Sequence, residues 1–144
     1  MLRMFVVAVS LLICSVAAAQ VLPLADVKAK GGVQLSADDL KQLMPGANVM
    51  SVTLAGSTRR WVNKADGTLV GSTDGRGYSG GRTLPASGEG SWRLADNGTY
   101  CVTIKWGVMV PENWCRYIFK AGDKYYTFAA LEDTARSWEF EISK

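Results

Sequence analysis

Arginines set beside aromatic rings are the side chains of this chain best suited to chemistry. In Arg59-Arg60-Trp61, an extended backbone puts Arg59 and Trp61 on one side and Arg60 on the other. A cation next to an indole suits a carboxylated, phosphorylated or sugar ligand. The plainer role is Trp61 in the core and the arginines capping a strand end. Residues 71–90 hold seven glycines with Arg76, Tyr78 and Arg82. Successive backbone N–H groups there could cradle an anion, although a mobile rim loop accounts for the same composition. No strand-to-helix transition surrounds the segment, so it is not a nucleotide fingerprint. Trp106, Trp114, Tyr125 and Tyr126 offer flat rings to a sugar or apolar ligand, Tyr126 being the binding candidate among them; core filling explains most of these rings.

Other chemistry is missing. Among 144 residues there is no histidine, which removes the Ser-His and Cys-His nucleophile pairs and the commonest zinc ligand. The acidic groupings Asp38-Asp39, Glu132-Asp133 and Glu139-x-Glu141 lack the isolated apolar setting of a paired acid and base and read as solvated faces. No catalytic residue, metal or cofactor is therefore expected. A net charge of +3, from 16 basic and 13 acidic residues, is too small to indicate a nucleic-acid partner. With 48% hydrophobic and 20% charged residues the composition is that of one globular domain.

Residues 1–19 read as a secretory signal peptide: Arg3, an apolar run over 4–13, then Ala17-Ala18-Ala19. The run is too short to span a bilayer, so cleavage after Ala19 is expected, with no membrane span in the mature protein and a periplasmic or secreted location. Ile13 argues against lipidation at Cys14, because a small residue normally precedes a lipidated cysteine. The mature chain then keeps Cys101 and Cys115, an even pair in an exported protein, which predicts a disulfide. The loop so closed is worth about 3 kcal/mol in the chain-entropy account. A redox pair or metal site fits less well, because the spacing is far from Cys-x-x-Cys and no further ligand type accompanies it.

Residues 20–34 show no sustained periodicity and read as an extended lead-in to a single domain over 35–144. Ser36 with Asp39 three residues later is a capping-box start, and Pro45-Gly46 stops the resulting short helix. From Asn48 the apolar period becomes two, giving about eight strands with short connections. The expected fold is all-β, a small antiparallel meander barrel with one short N-terminal helix, since an open sheet would leave long hydrophobic edges. At Asp96-Asn97-Gly98 a three-residue loop pairs Leu94 with Tyr100 and Trp92 with Val102, which keeps one face apolar and places Gly98 in the left-handed position.

Carrying that parity through a Cys101–Cys115 bond turns Trp114, Arg116 and Ile118 inward. An arginine in a barrel needs an acid, a backbone cluster or a bound anion as partner. Because bulges are common in barrels, a bulge between Trp114 and Tyr117 is expected to return Arg116 to solvent.

The succession Leu40 to Leu43, Pro45-Gly46, Arg59-Arg60-Trp61-x-Asn63, Asp66-Gly67, Gly90-x-Trp92, Asn97-Gly98-x-Tyr100-Cys101-x-x-Ile104-x-Trp106 and Glu112-x-Trp114-Cys115-Arg116-Tyr117 resembles an uncharacterised family of small exported proteobacterial proteins, a domain of unknown function. The likeness spans about residues 35–131. It implies bacterial export and a barrel core and brings no catalytic residues. In general outline the chain also resembles small periplasmic barrels such as lysozyme inhibitors, a likeness of architecture alone.

The expected function is an exported, non-enzymatic barrel that binds a small ligand or a protein partner. A closed, filled interior would remove the small-ligand version, whereas the partner version calls for a protruding loop, with residues 71–90 the candidate. The alternatives are an enzyme built on Arg60, Tyr126 and Glu139, which requires those groups to converge in one pocket, and a structural envelope component with a large exposed apolar patch.

Overall fold

A computed structural model of the protein describes residues 21–76, 84–107 and 109–144. The expected leader, Tyr78 and Arg82 lie outside the described residues. The elements run α1 (Leu24–Ala29), β1 (Val33–Gln34), α2 (Ala37–Leu43), β2 (Asn48–Val52), β3 (Thr58–Asn63), β4 (Thr68–Thr73), β5 (Ala86–Leu94), β6 (Tyr100–Lys105), β7 (Glu112–Ala121), β8 (Lys124–Phe128) and β9 (Trp138–Ser143).

Each strand from β2 to β9 pairs antiparallel with the next, and β9 pairs back onto β2, closing an eight-stranded meander barrel. Closure leaves no open edge within that ring. The first half of β7 pairs with β6 and its second half with β8, where β1 adds an extra strand through Val33 opposite Lys120 and Gln34 opposite Phe119. Inward positions agree in parity around the ring: Trp61, Leu69, Trp92, Val102, Trp114, Ile118, Phe140 and Val49 all belong to the barrel core. The Asp96-Asn97-Gly98 hairpin has the three-residue register, with Leu94 opposite Tyr100 and Gly98 at φ +80°. Cys101 and Cys115 face each other across β6 and β7, on the outer side of the barrel, and form the disulfide.

Two expectations change. Residues 20–34 are not all extended: Pro23 opens the six-residue α1, whose Leu24 and Val27 are buried three positions apart. They pack on Phe119, Tyr126 and Phe128, forming a second cluster on the outer face of β7 and β8. One pair of apolar residues is too short a pattern to register as helical periodicity. The connection around the glycines is also shorter than residues 71–90, because β4 runs to Thr73 and β5 starts at Ala86. Gly88 lies under the Trp106 ring, where an added Cβ would come within 2.5 Å of Cε3. At that position glycine makes room for an indole.

The two ends of the barrel differ. At one end α2 acts as a plug: its capping box is formed by Ser36 and Asp39, and Leu40 and Met44 sit fully buried in the core. The connections at this end are the short 64–67, 95–99 and 122–123. At the other end lie the connections 53–57, 74–85, 106–111 and 129–137, and that loop end carries the polar side chains described next.

Candidate functional site

Strand parity delivers an unusual group to the loop end. Glu112, Trp114 and Arg116 alternate on β7 and all turn inward, pairing through β6 with Ile104, Val102 and Tyr100. The pairing is continuous from Glu112 to Arg116 and resumes at Tyr117, so there is no bulge between Trp114 and Tyr117 and Arg116 stays inside. The disulfide pins Cys101 opposite Cys115 and so holds that parity.

The Arg116 guanidinium lies over the Trp114 ring at 4.4 Å and the Trp138 ring at 4.0 Å, with Phe140 at 5.9 Å. Such stacking compensates a partly desolvated cation through the ring quadrupoles. Among the described residues its one hydrogen bond is long, from Nη1 to Thr127 Oγ1 at 3.5 Å. Burial pushes the guanidinium down to about 10; Glu112 opposes that fall and Arg59 adds to it. It remains charged at neutral pH.

Glu112 is already committed. It forms an ion pair with Arg59, accepts from Trp106 Nε1 at 2.9 Å on Oε1, and accepts from Trp114 Nε1 at 3.2 Å on Oε2. Arg59 Nε is buried and has no hydrogen-bond partner among the described residues. All thirteen acidic residues of the chain fall within the described stretches. Among the described residues their salt bridges are to Lys28, Lys41, Arg59, Arg76 and Lys124, and none is to Arg116. Arg59 thus takes the carboxylate of this group, and Arg59, Glu112 and Arg116 together sum to one positive charge.

Around this mouth the described parts of the connections expose apolar side chains, Leu54 (80%) and Val110 (81%) most, with Leu84 (38%) and Leu131 (44%) part-exposed. The plugged end shows the opposite character, with turns made of Lys64-Ala65-Asp66-Gly67, Asp96-Asn97-Gly98 and Gly122-Asp123.

The remaining sequence candidates disperse. Trp61 is core, and its Nε1 donates to Tyr100 Oη at 2.9 Å; that hydroxyl donates to Asn63 Oδ1, whose amide donates to Met44 O in the plug. Arg60 points outward on β3, exposed in a shallow groove with Met50, Val62, Val70 and Glu141. Arg76 is exposed and pairs with Asp74 at 3.4 Å. Tyr126 is buried in the cluster under α1. Arg60, Tyr126 and Glu139 do not converge: Glu139 is paired with Lys124 at 3.0 Å, and β2 separates its strand from that of Arg60.

Sequence reasoning did not single out Glu112 or Trp138 as site residues. For Glu112 a signal was present, since Glu112-x-Trp114-x-Arg116 places an acid, an indole and a cation on one strand face. Trp138 meets Arg116 across β8, a relation that no local spacing carries. Comparison with known proteins finds no matching family model, no matching curated protein and no matching solved structure.

Proposed function

We propose that the protein is an exported, non-enzymatic binding module that receives a protein partner at the loop end of its barrel. The observation that carries this reading is the exposed Leu54 and Val110, with part-exposed Leu84 and Leu131, on the loop-end connections beside a group with surplus positive charge. Exposed apolar side chains gathered around a charged centre are the make-up of an interface with a hot spot and rim. The small-ligand version has less support, because inward positions are filled by Trp61, Tyr100, Trp114 and Phe140, whose rings pack at 5.6–6.1 Å. The enzyme alternative has no convergent group of residues behind it.

Export is supported by the leader pattern and by the disulfide, which persists in oxidising compartments. Among the described residues no helix is long and apolar enough to cross a membrane.

Native mass spectrometry of protein purified from its own host tests the reading. The expected species starts at Gln20, has both thiols oxidised and carries a bound protein that is absent from the Leu54→Asp, Val110→Asp double variant. Retention of the same partner by the double variant contradicts it.

A further inference from the structure

If the loop end is the binding end, the chemistry of Arg116 narrows what that end takes. A guanidinium has five N–H donors, all in its plane. The faces of the Arg116 group are taken by Trp114 and Trp138, so further binding is confined to its edges, where Thr127 fills one position at 3.5 Å. The chain offers no acid to those edges, since Glu112 is held by Arg59 and two indoles. We propose that Arg116 is the recognition residue for a carboxylate side chain, Asp or Glu, projected into the mouth by a protein partner whose surrounding apolar residues meet Leu54, Leu84, Val110 and Leu131.

Charge and shape select this chemistry. The Arg59, Glu112 and Arg116 group sums to one positive charge, which one carboxylate neutralises. A phosphate dianion would leave a net negative mouth, with its second charge opposed by Glu112. A planar carboxylate also fits a guanidinium edge with two parallel hydrogen bonds. The Trp-lined, partly buried setting strengthens such a pair over one at the open surface. The apolar tips set at the rim favour an acid carried on a protein surface over a free small acid.

This inference rests on the loop end being the binding end, and the test separates the two. The probes are acetate and two acetylated, amidated tripeptides, leucyl-glutamyl-leucine and leucyl-glutaminyl-leucine, titrated at constant ionic strength. The indole N–H resonances of Trp114 and Trp138 give the readout. Acetate is expected to shift both resonances, and the Glu peptide to bind about tenfold or more tightly than either acetate or the Gln peptide. Arg116→Met should abolish the Glu-over-Gln preference, while Arg60→Met, on the outer face, should leave it intact. Should Arg116→Met fail to fold, Arg116→Lys serves in its place, keeping the charge and losing the two-pronged edge, with the preference reduced. Equal binding of the Glu and Gln peptides, or a preference that survives Arg116→Met, overturns the proposal. Acetate binding as tightly as the Glu peptide overturns its protein-surface part. If the native complex depends on Leu54 and Val110 but is indifferent to Arg116→Met, the binding end stands and the carboxylate assignment falls.

Discussion

The plugged end and the loop end of this barrel are made by the same eight strands, yet they handle polar groups in opposite ways. At the plug the buried polar side chains described have internal partners: Trp61 gives to Tyr100, Tyr100 to Asn63, and Asn63 to the carbonyl of Met44, just past α2. Burial pushes the Tyr100 phenol above its ordinary value, so this hydroxyl stays protonated as a donor. The loop end sets two arginines against one carboxylate and leaves Leu54 and Val110 largely exposed. A closed network specifies a fold, and an incomplete one implies something to complete it. On the proposed function, stability belongs to one end and recognition to the other.

That division predicts unequal responses to mutation. Leu40→Ala or Met44→Ala, each emptying a fully buried position beneath the plug, should cost about 2–5 kcal/mol in denaturant unfolding. Leu54→Ala and Val110→Ala should stay within about 0.5 kcal/mol of the parent. Comparable losses at both ends would break the comparison. Reduction of the Cys101–Cys115 bond should lower stability by about 3 kcal/mol, read as a shift of the urea midpoint with and without a phosphine reductant. Tyr100→Phe, which strands the Trp61 N–H and the Asn63 carbonyl oxygen, should cost about 1–3 kcal/mol.

Most of the barrel is legible in the sequence, because strand alternation and turn chemistry are local and mutually consistent here. Gly98 and the inward parity of Trp92 and Leu94 suffice to set one hairpin register, and the cysteine pair carries it to the next strand. The same parity argument turns Arg116 inward; the expected bulge set it aside because an unpaired buried arginine is costly. Of the groups around it, Glu112 and Trp114 share its strand, whereas Trp138 is brought in from β9 and leaves no mark on nearby spacing. The helix α1 escapes for a different reason, its burial resting on two side chains and on a surface supplied by β7 and β8.

A smaller effect sharpens the picture at the loop end. The Asp74 carboxylate ties the β2–β3 connection to the start of the β4–β5 connection, accepting from Ser57 Oγ and from the Thr58 and Arg76 amides. Desolvation raises its pKa, but the amide and hydroxyl hydrogen bonds outweigh it and hold the group below the usual carboxylate value. With the folded value depressed, this clasp is fully present above the unfolded pKa near 3.8 and is lost as pH falls through the lower folded value. Amide exchange at Thr58 and Arg76 should therefore quicken in that acid window in the parent, while Asp74→Asn removes the pH dependence and leaves the plugged end unchanged.

The most direct test of the account is thermal unfolding of Arg116→Met beside the parent in chloride buffer without a ligand. If Arg116 is kept for binding, replacing an unneutralised, partly buried cation with an apolar side chain of similar length should hold or raise the melting temperature, by about 1 kcal/mol equivalent. A clear fall in melting temperature would show that the arginine is there to hold Trp114 and Trp138 in place, and would contradict the assignment of recognition to the loop end.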